Sequence, residues 1–250
     1  MTEEKTPSKG IYLLPNLLTT GAMFCGFYAI VAGMNAKFEL AAVAVFIAMI
    51  LDGLDGRVAR MTHTQTEFGA EYDSLSDLIS FGLAPALVMY QWALVDMQSM
   101  GTAWGKAGWL AAFVYVACAA LRLARFNTQI GKVDKRYFIG LPSPAAAAIM
   151  VGMVWFFNDI GIQGEEVKML AFGLSLFAGL LMVSNFRFYS FKDFDLKNKV
   201  PFLAILLIVL VFALTTLDPP KVLFAVFMLY SLSGPVMWAV QRYKQFRQKS

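Results

Sequence analysis

The sequence predicts an all-α, polytopic membrane helix bundle of about eight transmembrane helices, with both termini cytoplasmic. Three observations carry this. Hydrophobic residues make up 58% of the 250 and charged residues 15%, where a soluble domain carries about 25% charged residues. The apolar residues gather into runs of about 20, the length a helix needs to cross a hydrocarbon core roughly 30 Å thick. Lysine and arginine also keep to one side. Only Lys37, Lys106, Lys168 and Lys221 of the 21 basic residues fall on odd-numbered loops and the span ends beside them. The remaining basic residues lie on even loops and the two tails, which sets those in the cytoplasm; Asp159, Glu165 and Glu166 fall on the basic-poor side.

The spans run over 16–34, 38–60, 70–94, 107–126, 139–158, 167–186, 200–217 and 219–240. Residues 1–10 precede them as a mobile tail without a signal-peptide cleavage pattern, and Ile11 to Leu14 form an interfacial lead-in. Span one opens at Pro15, which suits a first helical turn and leaves Asn16 and Thr19 on one face near the cytoplasmic surface. Span two has an uncharged run only from Leu40 to Leu51, about 18 Å of helix. Span three has one from Leu78 to Trp92, about 22 Å. Neither crosses unless the neighbouring aspartates are drawn in. Pro85 is placed to kink span three, and Gly82 permits close packing there.

Span four ends in LRLARFN, residues 121–127. Arg122 follows about 15 uncharged residues and so falls partly within the bilayer, where charges usually serve a site. A guanidinium suits a carboxylate; positive-inside anchoring is the competing explanation for Arg122 and Arg125. Lys132, Lys135 and Arg136 form a solvated basic patch beside anionic headgroups. Span five opens with GLPSPAAAA, residues 140–148, where two prolines fix the entry and small residues allow close helix packing. Ser143 has no base beside it and is not read as a nucleophile. Spans seven and eight are parted by a tight turn at Asp218-Pro219-Pro220, and Arg242 to Lys249 form a basic lipid-surface anchor. Trp92, Trp104, Trp109, Trp155 and Trp238 fall near span ends, as aromatic belts do. Cys25 and Cys118 are free thiols in apolar runs. His63, the one histidine, sits in a polar loop as a solvated residue, which leaves zinc and histidine-based mechanisms little support. The basic residues are divided among short loops, which excludes a nucleic-acid partner.

The chemistry concentrates between spans two and three, in DGLDGRVARMTHTQTEFGAEYDSLSD, residues 52–77. Asp52 and Asp55 are spaced i,i+3 and Asp73 and Asp77 i,i+4, so each pair shares a helix face. Both faces lie beside the loop that joins the helices. Four carboxylates so close repel one another, and desolvation adds to the cost. One or two bound divalent cations relieve it, and all-oxygen ligation points to Mg2+, Mn2+ or Ca2+. Gly56, one turn after Asp52, leaves the adjoining face bare for close approach. Arg60, one turn further, can meet a phosphate bidentately. Together these residues suggest a metal-bound diphosphate. An ion-coupled transporter would account for membrane aspartates but not for the glycine and arginine at this spacing.

The stretch resembles the signature of the CDP-alcohol phosphotransferases, D-x2-D-G-x2-A-R-x8-G-x3-D-x3-D. Asp52, Asp55, Gly56, Ala59, Arg60, Gly69, Asp73 and Asp77 match every fixed position. The resemblance implies that Asp52, Asp55 and Asp73 are chiefly metal ligands, and that Asp77 adds to the site and is the general base. It implies two Mg2+ or Mn2+ ions, with Ca2+ also able to occupy the site. Gly56, Ala59, Arg60 and Gly69 would hold the nucleotide diphosphate, Asn16 and Thr19 match an N-x-x-T that contacts the nucleotide, and Thr66 is a further candidate. LRLARFN and GLPSPAAA resemble the branch that makes phosphatidylserine from CDP-diacylglycerol and L-serine with release of CMP. The serine carboxylate would then fall to Arg122, Arg125 or Asn127. Glycerol 3-phosphate or inositol phosphate are the alternative acceptors. The resemblance further implies a homodimer in the cytoplasmic (inner) membrane with its active site facing the cytoplasm. The chain is expected to be one integral-membrane domain, 1–250: an N-terminal segment 1–14, a catalytic six-helix core 15–186, and two additional helices with a basic tail, 187–250.

Overall fold

The computed structural model describes residues 13–129, 137–190 and 202–247. The lead-in through Tyr12, the basic patch of Lys132, Lys135 and Arg136, and the last three tail residues lie outside them. Two long helices open the chain, α1 (Leu13–Met34) and α2 (Phe38–Met61). Their connection is closed by Lys37 N donating to Ala32 O at 2.9 Å and Ala36 N to Gly33 O at 3.0 Å. This paired 6→1 and 5→2 pattern requires a left-handed residue after the helix, and Ala36 takes it at φ 55°. The buried face of α1 is built of small residues, including Ala22, Gly26, Ala29, Ala32 and Gly33. It meets Ala41, Ala42, Ala44, Val45 and Ala48 of α2. Small residues let backbones approach where lipid supplies no hydrophobic drive between helices.

A third helix follows in three parts: α3 (Glu67–Asp77), a π-helical segment (Leu78–Leu83) and α4 (Ala84–Trp92). The π segment was not foreseen, and its causes can be read afterwards. Pro85 has no N–H for the carbonyl of Phe81 four residues back. The hydroxyl of Tyr115 donates to that carbonyl at 2.9 Å, with both residues fully buried. Serines stitch the same stretch to α1: Ser76 donates to Thr19 O and Ser80 to Ala22 O, each at 3.1 Å. A Cβ on Gly26 would lie 2.7 Å from Ser80 Cα, so this contact requires glycine. The bend expected at Pro85 falls further on. A break at Ala93 turns the chain by 40° into a 3-10 helix, Leu94–Met100.

The remaining elements are α5 (Thr102–Gln129), β1 (Tyr137–Ile139), α6 (Ser143–Asp159), α7 (Lys168–Val183), β2 (Arg187–Tyr189), α8 (Phe202–Leu217) and α9 (Pro219–Arg247). Every residue of α6 from Ala145 to Val154 is buried, so this helix forms the centre of the bundle; a helix apolar all round belongs there. Asp218 caps α9, its Oδ1 accepting from Lys221 N at 3.3 Å, and Pro219 takes the first helical position where its missing N–H costs nothing. β1 and β2 pair antiparallel with Tyr137 opposite Tyr189, Phe138 opposite Phe188 and Ile139 opposite Arg187.

Among the described residues three helices are individually long and apolar enough to cross a membrane: Leu13–Met34, Thr102–Thr128 and Pro219–Gln245. The bent run Glu67–Trp92 with Leu94–Met100 makes a fourth, and Lys168–Val183 is apolar but shorter. The protein is therefore an all-helical membrane protein with several crossings. α2 has the length, at 24 residues, but carries Asp52, Asp55, Arg57 and Arg60 in its last turns. Of the tryptophans expected in an aromatic belt, Trp104, Trp109 and Trp238 are exposed, whereas Trp92 points inward, 4% exposed, against Phe157.

Candidate active site

The site forms where α1, the end of α2 and the start of α3 meet. α2 ends in the same two-bond pattern as α1: Thr64 N donates to Ala59 O at 3.0 Å and His63 N to Arg60 O at 3.4 Å. His63 is the left-handed residue of the pattern, at φ 52°, and it is exposed. Its place is conformational, in keeping with its reading as a non-catalytic loop residue. Thr66 then caps α3, its hydroxyl accepting from Gly69 N at 3.0 Å. The turn brings Asp73 back over the Asp52 and Asp55 face. Ligand oxygens of Asp52, Asp55 and Asp73 all lie within 4.8 Å of one another. That spacing suits a single hard cation bridged by carboxylates.

Asp55 is 5% exposed, so its carboxylate needs partners. Thr19 of α1 supplies one, its Oγ1 lying 2.6 Å from Asp55 Oδ2 and 3.1 Å from Pro15 O. A hydroxyl has one proton, and the shorter, charge-assisted contact takes it. Thr19 therefore fixes the rotamer of Asp55. Asp77 lies one turn deeper than Asp73 and outside the trio. Its Oδ1 is buried without a hydrogen-bond partner, but its carboxyl group is hydrogen-bonded to Asp52, and among the described residues the charges of Asp52, Asp73 and Arg122 act on it.

Beside the carboxylates opens a cavity of about 200 Å³ lined by Asn16, Thr19, Gly56, Ala59, Arg60, Thr66 and Gly69, together with Asp55 and Asp73. All seven residues that the resemblance implies for CDP-diacylglycerol thus border one space. Pro15, Thr64, Gln65 and Ala70 also line it, and nothing in their residue types had marked them. A Cβ at Gly56 would lie 3.7 Å from Arg60 Nη1 and meet nothing else within 4 Å, so the glycine is not forced by packing and leaves the approach to Arg60 bare.

The three residues of LRLARFN part company. Arg122 is 9% exposed and donates from Nη1 to Ser143 Oγ at 2.6 Å, on the first residue of α6. Among the described residues it is the cation whose charge acts on Asp77. Asn127 reaches the other flank, Nδ2 donating to Ser74 Oγ at 3.0 Å, next to Asp73. Arg125 turns away. Its Nη2 donates to Ile139 O at 3.0 Å, Ser184 O at 3.2 Å and Met182 O at 3.3 Å. Nη1 reaches Val183 O at 3.2 Å and Asn185 Oδ1 at 3.4 Å. Arg125 gathers the orphan carbonyls at the end of α7, a task for a fixed fork of donors.

The family model described as CDP-alcohol phosphatidyltransferase matches residues 12–184, which include every residue of this site. The chain belongs to that family. Individual relatives agree across most of its length. It is 37% identical over 233 residues to the CDP-diacylglycerol–serine O-phosphatidyltransferase of Helicobacter pylori strain J99, an alignment covering 93% of each chain. It is 33% identical to the enzyme of that name from Bacillus subtilis, over 74% of this chain and 94% of the relative. A Methanocaldococcus jannaschii enzyme of that name is 35% identical over 66% of this chain and 71% of its own. The protein is thus a CDP-alcohol phosphatidyltransferase, a membrane-bound transferase of phospholipid synthesis from a divalent-metal-dependent family, and its aspartate trio could hold such a cation.

Proposed function

We propose that this phosphatidyltransferase moves the phosphatidyl group of CDP-diacylglycerol to the hydroxyl of L-serine, giving phosphatidylserine and CMP. The observation that carries the acceptor is the 37% identity to the Helicobacter serine enzyme over 93% of both chains. The site supports it. Among the described residues one guanidinium, Arg122, acts on Asp77, enough for a single carboxylate. An acceptor phosphate calls for several basic groups, and Arg125 is committed to backbone carbonyls.

Asp52, Asp55 and Asp73 would hold a divalent cation, Mg2+ or Mn2+, with Asp77 adding to a second. Bound there, it would neutralise charge on the diphosphate and on the departing CMP. Gly56 and Ala59 give the diphosphate a bare helix face, and Arg60 reaches its oxygens. Asn16, Thr66 and Gly69 border the nucleotide. Arg122 holds the serine carboxylate, with Asn127 on the far flank, so that the serine hydroxyl meets the phosphorus bearing diacylglycerol. The new P–O bond forms as the bond to CMP breaks, and Asp77 takes the hydroxyl proton. In this reading the acyl chains stay in lipid between helices. Eight crossings, cytoplasmic termini, a cytoplasm-facing site in the inner membrane and a homodimer complete the arrangement; the sidedness of lysine and arginine supports the orientation.

The test is CMP release by purified protein given CDP-diacylglycerol and, separately, L-serine, glycerol 3-phosphate and inositol phosphate, with Asp77→Asn alongside. Serine-dependent CMP release that collapses in the variant is expected. Release with another alcohol and none with serine would overturn the acceptor.

A further inference from the structure

The last helix lies wholly outside residues 12–184, yet it reaches the acceptor side of the site. α9 first packs on the central helix: Phe224 stacks on Phe156 of α6 with ring centroids 5.6 Å apart. A Cβ on Gly152 would stand 3.4 Å from Phe224 Cα. One helical face further on, Tyr230, Gly234 and Trp238 recur at intervals of four and all rest on the β2 region. The Tyr230 hydroxyl donates to Tyr189 O at 3.1 Å, and its ring lies 5.7 Å from that of Phe188. Gly234 lets the fully buried Phe188 ring approach until a Cβ would be 2.5 Å from it. Trp238 meets Phe186 edge-on at 5.7 Å.

From β2 the contacts run straight to Arg122. Phe188 pairs with Phe138 of β1, and Gly140 N donates to Phe186 O at 2.8 Å. Gly140 is held at φ 80°, with Met182 O 2.2 Å from where a Cβ would be. Leu141 N then donates to Leu181 O at 3.0 Å, and two residues later Ser143 accepts from Arg122. Tyr230 also lies within electrostatic reach of the Arg122 guanidinium, as do Asp77, Arg125 and Tyr115. Tyr230 therefore holds one end of this path directly, the ribbon that leads to Ser143, and stands within electrostatic reach of the cation that Ser143 binds.

We propose that Tyr230 is a positioning residue for the acceptor: it pins the β1–β2 ribbon against α9 and so fixes where Ser143 and Arg122 present a small hydroxy amino acid to Asp77. This rests on the serine reading above. It makes α9 part of the acceptor pocket and leaves the diphosphate pocket, formed by α1, α2 and α3, independent of it.

The experiment is steady-state kinetics of CMP release for wild type, Tyr230→Phe and Gly234→Ala, varying serine and CDP-diacylglycerol in turn, with melting temperatures measured alongside. Tyr230→Phe keeps the ring and removes one hydrogen bond. The expected result is a rise in the KM for serine of roughly fivefold, the change one net hydrogen bond represents. The KM for CDP-diacylglycerol and kcat should hold. Gly234→Ala, which forces the ribbon off α9, should move the same constant in the same direction. Unchanged kinetics in both variants would overturn the proposal. So would a fall in kcat with a rise in both KM values in step with a lower melting temperature, because α9 would then be only a brace. If wild type releases CMP with another alcohol and not with serine, the acceptor reading has failed. The KM for that alcohol then decides this proposal on the same terms.

Discussion

Replacing Thr19 with valine keeps the shape of the side chain and removes one proton from a buried carboxylate. The Thr19 Oγ1 to Asp55 Oδ2 contact is 2.6 Å long, between residues that are 4% and 5% exposed. A hydrogen bond to a charged group contributes about 1.5–3 kcal/mol, and 2 kcal/mol corresponds to roughly thirtyfold in an equilibrium constant. That agrees with the roughly 10–100-fold loss in metal affinity that follows when the group orienting a ligand is removed. Asp55 would then sample rotamers that leave the trio, and ordering it again would oppose cation binding. The assay is CMP release titrated with Mg2+ or Mn2+ at saturating substrates. Thr19→Val is expected to raise the half-saturating metal concentration by about thirtyfold, with the rate at saturating metal largely recovered. A metal requirement identical to wild type would refute the claim that Thr19 orients a ligand. A fall in rate that no metal concentration restores would refute it too, and would mark Thr19 as a substrate contact instead.

Other consequences follow from single residues. His63→Gly should raise stability by about 1 kcal/mol, because the left-handed conformation at φ 52° costs a side-chain-bearing residue that much and glycine little. A higher melting temperature with unchanged kcat is the expected outcome; lost activity would make His63 catalytic. Arg125→Lys removes the fork that serves the α7 carbonyls and should destabilise by about 2–3 kcal/mol, read as a lower melting temperature in detergent. Gly26→Ala sets a methyl 2.7 Å from Ser80 and should cost about 1–3 kcal/mol. Gly53→Ala has no neighbour within 4 Å and should be neutral or slightly stabilising.

The half of the candidate site proposed for the diphosphate was legible because its residues are local in the sequence. Asp52, Asp55, Gly56, Ala59 and Arg60 follow one another on one helix, and Gly69 and Asp73 return after a single turn, so residue type and spacing carry the geometry. Asn16 and Thr19, expected on one face of α1, both line the cavity. The sequence could not say that the Thr19 proton goes to Asp55, because that contact joins residues 36 positions apart. Arg122 and Arg125 show the same boundary. They look alike in LRLARFN, three residues apart, yet one faces Asp77 and Ser143 while the other binds carbonyls at the end of α7. What separates them is the β1–β2 ribbon, two strands of three residues each, too short to leave a period-two pattern. The π segment was hidden for a related reason. Pro85 announced a disturbance, but the direction in which it was absorbed depended on Tyr115 from another helix. Helix positions were read well from hydropathy. The count of eight crossings remains an expectation because α2 carries Asp52, Asp55, Arg57 and Arg60 inside its own length, and α6, α7 and α8 have 17, 16 and 16 residues.

The central claim is that carboxylates of two helices form one cation site that grips a diphosphate, and Mn2+ binding reads it without reference to turnover. Purified protein with CDP should hold Mn2+, seen as loss of the free-ion electron paramagnetic resonance signal, and should melt at a higher temperature with the two together than with either alone. Asp55→Asn and Asp73→Asn, one from each helix, should each abolish both effects. Retention of bound Mn2+ and of the joint stabilisation in both variants would contradict the account.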